Sequence, residues 1–108
     1  MRLSHSFRVY IPSTVDVNTA VNSSAAVAGC LSFLSGMFGG ATALEASGAW
    51  LSESAGLVTE KVTICYSFCG LLAFLRGRRA VLDYAKKVRD DMKQEAVSVE
   101  IDGKLYLI

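Results

Sequence analysis

The order of periodicities along this 108-residue chain predicts an α+β fold. It is a ferredoxin-like β-α-β-β-α-β antiparallel sheet with two helices on one face, extended by an added C-terminal β-hairpin strand. Three observations carry that expectation. Val62, Ile64, Tyr66 and Phe68 alternate with Lys61, Thr63, Cys65 and Ser67, which is the period of two of a strand. Segments of helical period stand before and after that strand. Asp102-Gly103 between two apolar runs is the strongest short hairpin signal in the chain. Residues 1–108 read as a single domain.

Ser6 to Ile11 reads as the first strand, with Phe7, Val9 and Ile11 on one face and Ser6, Arg8 and Tyr10 on the other. Pro12 lacks a ladder donor and should end it; Ser13 to Asn18 reads as a loop. The first helix is expected from Asn22–Ser24, all N-cap residues. Its stripe of Val27, Leu31, Leu34 and Phe38 is widened by Cys30, Phe33 and Met37, and Gly39-Gly40 should stop it. Ala41 to Phe68 then reads as two long strands joined through Ser52–Gly56, with Leu44, Ala46, Gly48 and Trp50 sharing a face of the first. The second helix is expected from about Arg78 to Gln94, on a buried stripe of Val81, Tyr84, Ala85, Val88 and Met92. Val97, Val99 and Ile101 form a strand, and Lys104 to Ile108 returns beside it. Trp50, Val62, Ile64, Leu34 and Val88 are expected to share the core. The open face should carry Ser6, Arg8, Tyr10, Glu45, Ser47, Thr59, Lys61, Thr63 and Ser98.

The net charge of +1 gives no global field toward nucleic acid or membrane. The window Ala25 to Leu44 is uncharged and long enough to cross a bilayer. Its serines and glycines make poor hydrocarbon surface, so no membrane association is expected. Three cysteines form no disulfide framework. MRLSHSFRVYIP lacks the apolar core of a signal peptide, and the expected location is cytoplasmic.

Chemistry is sparse. His5 is the sole histidine and reads as an exposed bystander near a frayed terminus. Cys65 and Cys69 lack the further ligands a zinc site needs and read as small buried hydrophobes. Glu45, Glu53 and Glu60 have no nucleophile beside them. The glycines 36, 39 and 40 follow a helix, whereas a phosphate loop precedes one. These readings predict no enzyme, no cofactor and no metal.

What remains is recognition. Arg8, Tyr10, Glu45 and Lys61 on the open sheet face, with the basic cluster Arg76, Arg78 and Arg79, are the candidate contacts for a partner. Arg78 in a first helical turn would oppose the helix dipole, which suggests an anionic partner. An RNA-reading sheet needs several exposed aromatics and only Tyr10 qualifies, so nucleic acid is not favoured. Phe33 and Met37 on the first helix, and Leu105 and Leu107 on the last strand, are surplus apolar surface and predict a homodimer.

The stretches VYIPSTVDVN, FGGATALEASGAW, LVTEKVTICYSFC and QEAVSVEIDGKLYLI resemble small proteins carried by phages, plasmids and conjugative elements of Gram-positive bacteria. Type II anti-CRISPR proteins are among them. The resemblance implies a non-enzymatic inhibitor of a host defence system, acting on a CRISPR effector nuclease or its guide-RNA loading. The alternative expectation is a homodimer that sequesters or senses a small ligand or nucleotide.

Overall fold

The computed structural model describes residues 1–15, 19–20 and 22–108. The alternating N-terminal residues form β1 (His5–Pro12), which becomes the centre of the sheet. Two short strands follow, paired with each other: β2 (Thr14–Val15), inside the stretch Ser13 to Asn18 expected as loop, and β3 (Thr19–Ala20) just after it; Asp16–Asn18 lie outside the described residues. Next come α1 (Ser24–Phe38), β4 (Thr42–Ser52), β5 (Gly56–Cys69), α2 (Leu71–Asp91), β6 (Ser98–Ile101) and β7 (Lys104–Leu107). The main sheet runs β4-β5-β1-β6-β7 with every neighbouring pair antiparallel. This is the ferredoxin-like arrangement with β7 added outside β6.

The helix limits follow from local chemistry. Asn22 Oδ1 accepts the Ser24 N–H at the start of α1. Gly39 closes it at φ 93°, a left-handed conformation that favours glycine, and its N–H returns to the Ser35 carbonyl. α2 begins at Leu71, seven residues before the expected Arg78. Extended Gly70 leads straight into it, and the apolar run Leu71–Leu75 makes its start. Phe74, Gly77, Val81, Ala85 and Val88 then fall on one buried stripe. Gly77 sits where the Phe38 ring leaves no room for a side chain. Arg78 therefore lies inside the helix, and its supposed conflict with the dipole disappears. Its guanidinium instead covers the Tyr106 ring, 5.7 Å from the centroid.

Sheet register overturns the expected faces of the long hairpin. Val9 pairs with Cys65 and Phe7 with Ser67, so the small residues of β5 point under the helices with the core. Cys65, Ser67 and Cys69 are buried there, with Cys30, Leu34 and Val88. Val62, Ile64, Tyr66 and Phe68 take the other face, beside Arg8 and Tyr10. Ser6, Arg8, Tyr10 and Ser98 lie on the open face as expected. Glu45, Ser47, Thr59, Lys61 and Thr63 are on the helix side instead. Trp50 is 54% exposed rather than in the core. It sits on the β4-β5 arm, which helps stretch the molecule to 48 Å. The physical reason is volume: strand positions beneath packed helices take Cys and Ser, whereas the open face has space for Tyr and Phe.

The last hairpin turns on Asp102 at φ 50° and Gly103 at φ 79°, the two positive angles that a type I′ turn requires. Asp102 also clips the N-terminus. Its carboxylate receives the Ser6 N–H at 2.9 Å and lies 2.7 Å from His5 Nδ1. His5 further stacks on Phe74, with ring centroids 4.6 Å apart. It is thus a held residue of β1 and not a bystander. Among the described residues no helix is long and apolar enough to cross a membrane.

Candidate functional site: a hollow on the open sheet face

Antiparallel register lines up side chains in rows across the open face. One row runs Leu105, Glu100, Arg8, Tyr66 and Thr42, each the direct partner of the next. The next holds Tyr10, Ile64 and Leu44, followed by Pro12, Val62 and Ala46, then Glu60 and Gly48. The later rows, with Gln94 and residues 96–98 that lead from α2 into β6, enclose a hollow of about 320 Å³. Tyr10, Pro12, Ala46, Gly48, Val62 and Ile64 form its floor and walls, with Glu60 at one side and Gln94 and Ser98 at the other. Ile64 is only 8% exposed although no helix covers it, because its neighbours on the open face enclose it.

The polar wall is pre-set. The Tyr10 hydroxyl donates to Glu100 Oε2 at 2.8 Å. Arg8 Nε stands 3.8 Å from the same oxygen, and its guanidinium lies over the Tyr66 ring, 5.1 Å from the centroid. Burial, and then the Glu100 carboxylate that accepts its proton, push the Tyr10 phenol above its ordinary pKa. Gln94 Nε2 donates to the Thr14 carbonyl at 2.7 Å, fixing the rim. Among the described residues no group of three or more His, Cys, Asp or Glu gathers to hold a metal. A half-apolar hollow with one carboxylate and a tyrosine edge suits a ligand that has both a flat apolar part and a positive charge.

No protein-family model and no curated protein matches the chain. Two solved structures do. One is a phage SAM lyase in complex with S-methyl-5'-thioadenosine, at 23% identity and a TM-score of 0.65, covering 100% of this chain and 93% of that one. The other is a phage SAM lyase in the apo state, at 20% identity and a TM-score of 0.64 with the same coverage. The chain shares the fold of a phage SAM lyase. That likeness covers the whole of this chain, and the matched protein is by its name an enzyme. It overturns the expectation of a non-enzymatic anti-CRISPR inhibitor, which the sequence resemblance implied, and the alternative of a sequestering module.

The structure divides the residues singled out in the sequence. Tyr10 lines the hollow, and Arg8 stands behind it, 3.8 Å from the Glu100 oxygen that the Tyr10 hydroxyl bonds. Lys61 borders the hollow next to Glu60, but its position in the strand directs it to the opposite face, as for Glu45. Arg76, Arg78 and Arg79 lie on α2, away from the hollow, with Arg79 3.8 Å from Asp83. Phe33 stacks on Tyr84 within the chain, centroids 4.3 Å apart, so it is not surplus. Met37, Leu105 and Leu107 stay exposed. Glu60 has no nucleophile beside it in the sequence, and neither Glu100 nor Tyr66 belongs to a local motif. A signal existed for Glu100: it and Arg8 carry opposite charges on the same face of adjacent strands.

Proposed function

We propose that the chain is a lyase of S-adenosylmethionine that binds its substrate in the hollow of the open sheet face. The observation that carries this reading is the full-length match to a lyase structure holding S-methyl-5'-thioadenosine. The hollow supports it with apolar walls for the adenosyl group and the Glu60 carboxylate for a cationic end.

Cleavage without water balances as an internal displacement. The substrate's own carboxylate oxygen bonds to Cγ, the Cγ–S bond breaks, and its electron pair goes to sulfur. The products are the neutral thioether S-methyl-5'-thioadenosine and homoserine lactone. No proton changes hands and no protein nucleophile is needed. The chain's part is to orient and to desolvate. A carboxylate and a sulfonium neutralise each other along the path, so removing water raises the separated charges more than the transition state. Pro12, Ala46, Val62 and Ile64 provide that dry wall, and Glu60 anchors the ammonium of the amino-acid end. The test is to identify the four-carbon product by mass spectrometry. Homoserine lactone, or homoserine from its later hydrolysis, supports displacement; vinylglycine would replace it with elimination.

Self-association belongs to the same reading. Leu105 and Leu107 are 59% and 72% exposed on the open face, at the sheet edge, and a second copy is their natural cover. A cytoplasmic site of action accords with three cysteines that are all free thiols.

A further inference from the structure

We propose that Glu100 is a positioning residue that makes the hollow select a positively charged sulfonium over the neutral thioether. The inference rests on the lyase reading and adds to it a basis for preferring substrate to product.

A tyrosine hydroxyl has one proton to give. Tyr10 gives it to Glu100 Oε2 at 2.8 Å, so toward the hollow its oxygen can only accept. The ring beside it offers an electron-rich face. Both favour positive charge and neither gains from a neutral sulfur. Glu100 is itself fixed. Arg8 Nε lies 3.8 Å from the same oxygen, and the guanidinium rests on Tyr66. Arg8 is the direct cross-strand partner of both Glu100 and Tyr66, so backbone register sets the spacing of the whole chain of contacts. Without Glu100 the phenol is free to turn its proton into the hollow, where it would repel the sulfonium.

The experiment compares the KM for S-adenosylmethionine with the inhibition constant of S-adenosylhomocysteine, a thioether of similar shape. In Tyr10→Phe and Glu100→Ala the KM should rise about five- to tenfold while the inhibition constant moves by less than about twofold, the size of one lost cation contact. Glu100→Gln keeps an acceptor oxygen and should recover most of the preference. The double variant Tyr10→Phe with Glu100→Ala should be no worse than the poorer single variant. Tyr10→Phe retains the ring and therefore the packing, which keeps the test sound if Glu100→Ala unfolds. Equal weakening of both ligands, or no change in either, overturns the inference while the lyase reading stands. A wild-type protein that neither cleaves S-adenosylmethionine nor binds S-adenosylhomocysteine overturns both.

Discussion

Gly77 of α2 lies against the ring of Phe38 so closely that a Cβ built on the glycine would meet Phe38 Cζ at 2.7 Å. The ring has little room to retreat, because it stacks on Phe7 with centroids 5.2 Å apart. An alanine here gains about 1 kcal/mol of helix propensity. The overpacking it forces costs about 1–3 kcal/mol. Gly77→Ala should therefore lower stability in chemical denaturation, and Phe38→Leu in the same chain should recover part of the loss. A more stable Gly77→Ala protein would mean that the two helices are not in this contact.

Leu34 and Trp50 test the assignment of faces. Leu34 is fully buried, and Leu34→Ala should cost about 2–5 kcal/mol. Trp50 stands on the exposed arm, and Trp50→Ala should change the stability of the monomer by no more than about 0.5 kcal/mol. Denaturation curves for both variants, read side by side, decide it. Similar large losses would return Trp50 to the core.

The clip between His5 and Asp102 sets an acid-side dependence. The hydrogen bond from His5 holds the Asp102 carboxyl below its ordinary value of 3.8. A depressed carboxyl contributes stability that is present above its unfolded pKa and is lost as pH falls through the folded one. The contribution should therefore be complete above about pH 5 and fade below about pH 4. The group is largely exposed, so the effect is small and salt-sensitive. Stability measured from pH 2 to 6 should show a shallower acid-side fall in Asp102→Asn. Identical profiles would remove the clip.

Self-association should appear by light scattering at micromolar concentration as a mass above the monomer. Leu105→Lys with Leu107→Lys should shift it to the monomer, since lysines on an edge strand oppose pairing. A wild-type monomer would leave these leucines as ordinary exposed residues.

Much of the fold was legible in the residues. Phe7, Val9 and Ile11 announced β1, Gly39 the end of α1, and Asp102-Gly103 the last turn. The faces of β5 were not, because both sets of its alternating residues are partly apolar and only the pairing of Val9 with Cys65 decides which goes inward. The start of α2 was hidden by Gly77, which breaks a helix on propensity but here admits Phe38. The hollow was illegible for a further reason. It joins residues as distant in sequence as Tyr10, Glu60 and Ser98, none of which belongs to a local motif.

The most direct measurement is chromatographic detection of S-methyl-5'-thioadenosine after incubating the purified protein with S-adenosylmethionine. The wild-type chain should release it well above the spontaneous rate, and Glu60→Gln should reduce that release by about tenfold or more, the loss of one charge-assisted contact. Release no faster than in protein-free buffer would contradict the lyase reading.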